Sequence, residues 1–320
     1  MGARRALITG ITGQDGSFLA ELLLAKGYSV IGTIRGRASD PLGCSEHLRG
    51  EVSLVAADLE QPQSLRAAVA EVQPDELYHL AAPSFVPYSW QHPTKTLASI
   101  AGSTAALLEA VREHSKSTRT FVAASGAMFG DAHESPQRET TPCRPQTPYA
   151  TAKLAAHHLV GQLRAHDGLF ACSGILYNHE SERRPERFVT RKITRAAAAI
   201  KLGLADHVAL GDLDVVRDWS FAGDIVRGAW LMLQQDVPGD CILASGTPHT
   251  VSDLANAAFS HVGLDTSRYI RVDPSLVRAT EATPQVGDPS RARERLGWQP
   301  TLAFEQLVQR MVEHDLQDLG

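Results

Sequence analysis

The sequence predicts an α/β fold: a Rossmann-type doubly wound parallel sheet followed by a smaller C-terminal substrate-binding lobe. Three observations carry this. Short β-branched runs alternate with helical patterns through the first half of the chain, as in a parallel sheet with crossover helices. A glycine-rich turn, Gly10-Ile-Thr-Gly13-Gln-Asp-Gly16, lies between the first such run and the first helical pattern. Beyond Leu176 the alternation loosens into loops rich in Arg, Pro and Asp.

Taken in order, the predicted strands are Ala6–Thr9, Ser29–Ile34, Val52–Ala56, Glu76–Leu80, Thr120–Ala124 and Ala171–Leu176. Between them, Ser17–Ala25 and Thr96–Val111 carry apolar residues at three- and four-residue spacing, the mark of an amphipathic helix. Pro148 suits the first turn of a helix that opens at Tyr149. Later helices are expected near Thr190–Leu202, Asp224–Gln234 and Ser252–His261. The expected organisation is a dinucleotide domain over residues 1–176, to which 223–248 return, and a lobe formed by 177–222 and 249–320.

Size and charge narrow the function. The 320 residues suffice for one large α/β domain with a lobe, and 43% hydrophobic with 21% charged residues is ordinary for a soluble protein. A formal net charge of -5 argues against general nucleic-acid binding. No stretch approaches the ~20 apolar residues of a membrane span, and Met1-Gly-Ala-Arg-Arg has no secretory pattern, so a cytoplasmic protein is expected. Cys44, Cys143, Cys172 and Cys241 are far apart and predict thiols rather than disulfides; His157 and His158 point different ways on a helix, and no metal site is expected.

The glycine turn stands where a dinucleotide loop needs it. Glycine lets the backbone approach a pyrophosphate, and the helix start supplies N–H groups and a partial positive charge. Its spacing is G-x-x-G-x-x-G, a pattern that a tight βα turn can also produce. The second strand ends in Thr33-Ile-Arg35-Gly-Arg37, with arginine where a NAD site usually has a carboxylate, so NADP is favoured over NAD. Asp58 follows the third strand, where it can meet the adenine edge or cap the next helix. The predicted cofactor contacts are Gly10, Thr12, Gly13, Gln14, Asp15, Gly16, Arg35, Asp58, Leu59, Leu80 and Ala81, joined by Tyr149 and Lys153.

Tyr149 and Lys153 in Thr147-Pro-Tyr-Ala-Thr-Ala-Lys153 share one helix face, so the ammonium can sit beneath the phenol and stabilise a phenolate. With a dinucleotide on the glycine turn, the phenol can take a proton from a sugar or alcohol hydroxyl while hydride leaves the same carbon. The same spacing also arises as a plain surface pair.

These motifs, together with Asn178-His-Glu-Ser-Glu-Arg-Arg184, resemble the GDP-mannose 4,6-dehydratases, which are extended short-chain dehydrogenase/reductases. Glu139-Thr-Thr-Pro142, Phe188-Val-Thr-Arg-Lys192, Arg217-Asp-Trp219 and Gly287-Asp-Pro-Ser290 extend the likeness over nearly the whole chain. The resemblance implies a nucleotide-diphosphate sugar, GDP-hexose first, as substrate, and a homodimer or homotetramer. It places Asn178, Val189 and Lys192 against the nucleotide sugar, Arg217 and Arg278 on its diphosphate, Glu281 on its ribose and Ser84 near the hexose. Pro83, Phe85 and Pro87 depart from the usual polar residues there, and Gly36 replaces an arginine often found in the loop after the second strand.

The family's catalytic Ser/Thr-x-Glu element reads Ser125-Gly126-Ala127. By resemblance Ser125, Tyr149 and Lys153 are the catalytic residues that oxidise C4, but the glutamate that removes the C5 proton is replaced by Ala127. Loss of a general base costs about 10²–10⁴ in rate, roughly 3–5 kcal/mol of barrier. Ser-x-Ala followed by an aromatic-Gly pair also resembles nucleotide-sugar 4-epimerases, which need no such base. The competing expectations are therefore a 4,6-dehydratase, a 4-epimerase or 4-keto reductase, and a non-catalytic NADP-binding regulator.

Overall fold

The computed structural model describes residues 2–277 and 283–320. β1 (Arg5–Thr9) runs through the glycine turn into α1 (Gln14–Ala25), then β2 (Ser29–Ile34), β3 (Ser53–Ala56), α2 (Pro62–Val72) and β4 (Glu76–His79). After α3 (Val86–Gln91), α4 (Pro93–Leu97) and α5 (Ser103–His114) come β5 (Arg119–Ser125), α6 (Pro148–Asp167), β6 (Ala171–Leu176) and β7 (Asn178–Glu180). The second half contains α7 (Val189–Lys201), β8 (Val208–Leu210), β9 (Val216–Phe221), α8 (Ala222–Leu233), β10 (Cys241–Leu243) and β11 (Pro248–Thr250). It closes with α9 (Val251–His261), α10 (Thr266–Tyr269), β12 (Ile270–Val272), α11 (Ser290–Leu296) and α12 (Phe304–Leu319).

The main sheet has seven parallel strands in the order β10-β6-β5-β4-β1-β2-β3. Its order reverses between β1 and β4, and a crevice opens there at the carboxyl ends of the strands. Both faces are covered, which is why β1 and β6 are buried almost throughout and read as near-continuous apolar runs. One face packs on Leu19 and Leu23 of α1 and Ile225 and Met232 of α8. The other packs on Leu65 and Val69 of α2, Leu107 and Val111 of α5, and Val160 of α6. A separate core joins Ile193 and Ala197 of α7, Leu254 and Phe259 of α9, and Val308 and Val312 of α12.

The expected helix over Thr96–Val111 is instead two α-helices joined by a π turn at Ala98–Gly102. The hydroxyls of Ser103 and Thr104 donate back to the carbonyls of Ser99 (2.7 Å) and Ile100 (2.7 Å), the kind of insertion that bends a helix ladder. Among the described residues, no helix is long and apolar enough to cross a membrane.

Candidate active site

A cleft of about 1510 Å³ runs along the carboxyl ends of the main-sheet strands and onto β7, α7 and β9. The turn after β1 forms one wall. Gly10 has φ +80, and a Cβ there would lie 2.9 Å from Ala81; a Cβ on Gly16 would lie 2.2 Å from the Gly10 carbonyl oxygen. Side chains at either position would break the turn. Gly13 caps α1 without any side-chain hydrogen bond, so the N–H groups of its first turn meet the cleft uncovered by a cap. That geometry fits a dinucleotide pyrophosphate. Thr12, Gln14, Asp15, Arg35, Asp58, Leu59, Leu80 and Ala81 line the same cleft. Asp58 does not cap the next helix: its Oδ1 accepts from the Glu60 N–H (3.0 Å), while α2 starts at Pro62 behind Gln61.

Ser125 ends β5, and its Oγ accepts from the Ala127 N–H at 3.2 Å. Tyr149 stands in the first turn of α6, whose start is set by Pro148 and by Thr147 Oγ1 accepting from Ala150 N–H (3.1 Å). One turn on, Lys153 is buried, with Nζ donating to the Ala123 carbonyl at 2.6 Å and lying 5.9 Å from the Tyr149 ring centroid. Burial raises the Tyr149 phenol above its ordinary value, while a hydrogen bond with Ser125 and the charge of Arg184 oppose the rise. Burial also lowers Lys153 to about 8, against the pull of Asp15. In the resting site Ser125 and Arg184 ease ionisation of the phenol, and the Lys153 ammonium is anchored on the strand beside it.

Beneath this group His79 bridges Thr9 Oγ1 (Nδ1, 2.8 Å) and Ser103 Oγ (Nε2, 3.0 Å). Burial first, and Lys153 second, push it down to about 3, so it is neutral at physiological pH. It braces β1 and β4 against α5.

A second charged group closes over the glycine turn. His179 on β7 has Nδ1 2.7 Å from the Tyr177 carbonyl and Nε2 2.8 Å from Asp15 Oδ2. Both partners are acceptors, so both ring nitrogens must donate and the ring is an imidazolium. Burial opposes that charge, but Asp15 outweighs it and the His179 value is raised. For Asp15 burial likewise pushes upward, yet His179, Gln14 and Arg184 together hold the carboxyl down at about 2. Arg184 pairs with buried Glu180 (3.0 Å) and stacks on Phe188 at 3.6 Å. The sequence singled out only Asn178 in the run to Arg184. His179 and Arg184 form part of the cleft beside it, and the Asp15 partner of His179 lies too far along the chain for any local signal.

On the far wall Ser84, Asn178, Val189, Lys192 and Arg217 all line the cleft. Lys192 Nζ donates to the Ala209 carbonyl (2.6 Å), and Arg217 Nη1 to the Val216 carbonyl (2.8 Å). Arg278 and Glu281 fall outside the described residues. Pro83, Phe85 and Pro87 line the cleft near Ser84, and Phe85 meets Phe188 edge to face at 5.8 Å. Ala127 also lines it and brings no acid or base. Glu134 does not substitute: its carboxylate accepts from Thr141 Oγ1 and its carbonyl from Gln137, away from the cleft lining.

A doubly wound sheet with a glycine turn at its switch point, and a serine, tyrosine and lysine facing that turn, defines an extended short-chain dehydrogenase/reductase. The profile of the GDP-mannose 4,6 dehydratase family matches residues 7–311, and the chain belongs to that family. It is 45% identical over 327 residues to GDP-mannose 4,6 dehydratase 2 of Arabidopsis thaliana, spanning 98% of this chain and 87% of that one. It is 43% identical over 352 residues to the GDP-mannose 4,6-dehydratase of Yersinia enterocolitica, spanning 98% and 94%. Among solved structures, a UDP-glucose 4-epimerase from Thermus thermophilus in complex with NAD superposes with TM-score 0.83 at 25% identity, covering 97% of this chain and 98% of that one.

Proposed function

We propose that this protein is an NADP-dependent enzyme that transfers hydride at C4 of a GDP-hexose and does not eliminate water. The observation that carries the reading is the placement of Ser125, Tyr149 and Lys153 around the cleft together with Ala127, a residue without acid or base, which stands where the resemblance puts the family's glutamate. The glycine turn and the residues at the ends of β2, β3 and β4 would hold NADP, which supplies the hydride acceptor and donor. NADP rather than NAD rests on Arg35 and Arg37 in the cleft lining, whose guanidiniums suit a 2′-phosphate.

Within that arrangement Tyr149 takes the proton of the C4 hydroxyl as the C4–H hydride departs, and Ser125 holds the C4 oxygen. Lys153 keeps positive charge next to the developing phenolate, which lowers its energy. Arg217 and Lys192 suit the diphosphate and its sugar, and Asn178 the sugar edge. Once C4 is a ketone, the C5 proton becomes acidic, but no carboxylate stands at residue 127 to remove it. Hydride return to the opposite face of C4 then gives the 4-epimer; delivery to a 4-keto sugar made elsewhere gives a 4-ketoreductase.

Family membership favours the other outcome, a complete 4,6-dehydration. Incubation with GDP-mannose and catalytic NADP, followed by mass spectrometry, tests the two. An isomeric product of unchanged mass supports hydride chemistry alone. A product lighter by one water overturns it in favour of the dehydratase.

A further inference from the structure

The loop after β2 folds one of its own carboxylates back onto its backbone. Asp40 Oδ2 accepts from the Arg37 N–H at 2.8 Å, and the Asp40 N–H donates to the Arg37 carbonyl at 2.9 Å. The carboxylate lies over Gly36 so closely that a Cβ there would sit 2.1 Å from Oδ2. The carboxylate fills the space that a Cβ at residue 36 would take. The loop is stapled from outside by Arg49, which donates to the carbonyls of Ala38 (2.8 Å) and Asp40 (2.8 Å) and is held by Glu46 (3.0 Å to Oε2). Arg35, Gly36, Arg37 and Asp40 all line the cleft.

This loop ends the second strand, where the adenosine ribose of a dinucleotide lies in a doubly wound sheet. A 2′-phosphate seeks what the loop offers, a backbone N–H between two arginines. Asp40 already occupies that N–H and presents a like charge to the phosphate. A ribose 2′-hydroxyl is neutral, can donate to a carboxylate and meets no such opposition. We propose that Asp40 is an internal stand-in for the 2′-phosphate and the residue that sets the balance between the two nicotinamide dinucleotides. NADP binds by displacing this carboxylate from Arg37; NAD binds with it in place. The inference rests on the cleft being the dinucleotide site.

Titration of the purified protein with NADPH and NADH, followed by cofactor fluorescence, tests it on the unaltered chain and on Asp40→Asn, Asp40→Ala and Arg35→Ala. Asp40→Asn keeps an acceptor for the Arg37 N–H while removing the charge, so the loop retains its turn. Asp40→Asn and Asp40→Ala are expected to tighten NADPH about 3- to 5-fold, a change on the scale of one such charge contact, with NADH altered by no more than about twofold. An affinity for NADPH unchanged in both Asp40 variants overturns the proposal. If the cofactor reading itself is wrong, neither nucleotide binds the unaltered chain, or Arg35→Ala leaves NADPH untouched; both results are distinct from a failure at Asp40.

Discussion

Tyr149 and Ala127 divide the chemistry between them. The phenol is hydrogen-bonded to Ser125 and within the field of Arg184, and in the proposed reaction it exchanges a proton with the sugar hydroxyl. Replacing it by Phe removes that exchange and leaves the dinucleotide turn intact. Tyr149→Phe is expected to lower turnover by about 10²–10⁴ while NADPH fluorescence titration stays within about twofold; unchanged turnover would point to a non-catalytic dinucleotide-binding protein. Ala127 faces the same cleft from the turn after Ser125. Ala127→Glu puts a carboxylate where the resemblance places the family's glutamate, so mass spectrometry of its product with GDP-mannose should reveal loss of water absent from the unaltered chain. That Ser125, Tyr149 and Lys153 would meet in one cleft was legible in sequence because each lies in a short contiguous motif. The hydrogen bonds of Glu134 were not, since its partners Thr141 and Gln137 are fixed by a loop that docks on Val286 and Pro284.

At the scale of elements, the segment from β7 to Arg184 is fastened to the start of α1. Asp15 and His179 form the charged centre of this fastening, and Ser181 Oγ donates to Gln14 Oε1 (2.8 Å) while Arg183 reaches Ser17 (2.8 Å) and Glu21 (2.6 Å). The His179 value is raised in the folded chain, so its contribution to stability is full below the unfolded value near 6.5 and fades as pH rises through the folded value. Asp15, held at about 2, contributes above its unfolded value and loses that contribution as pH falls through about 2. His179→Gln should therefore lower Tm most near pH ~5–6, with the gap narrowing at alkaline pH. A gap that stays constant from mildly acidic to alkaline pH would mean that His179 is not charged.

Six of the seven main-sheet strands were readable, and those covered on both faces, such as β1 and β6, need no alternation; β10, three residues long, was not. Helix α2 was anticipated after Asp58 but not delimited: Pro62-Gln-Ser opens it without a capping side chain, and only Leu65, Ala68 and Val69 are buried. The short strands β7, β8 and β11 were equally silent. Each is three residues long, and β7 and β11 become strands only by pairing with β9 across the chain.

For the whole molecule, α12 is tied to α7 through a buried charge. Asp315 on α12 accepts from Arg191 (Nε, 2.8 Å; Nη2, 2.6 Å) and from Thr194 Oγ1 (2.8 Å), with Asp315 fully enclosed. Removing one member of such a pair strands the other, at a cost of about 3–5 kcal/mol. Asp315→Ala should show that loss in denaturant unfolding, and Arg191→Met with Asp315→Leu together should recover most of it. Lys192 of α7 and Arg217 of β9 line the cleft together with the glycine turn and Tyr149. The central claim is a hydride-transfer centre without a base for C5. Turnover of GDP-mannose in deuterium oxide, followed by proton NMR, tests it most directly. The expected product keeps its C5 proton and its C6 hydroxyl and is altered at C4 alone; deuterium at C5 or a C6 methyl group would contradict the claim.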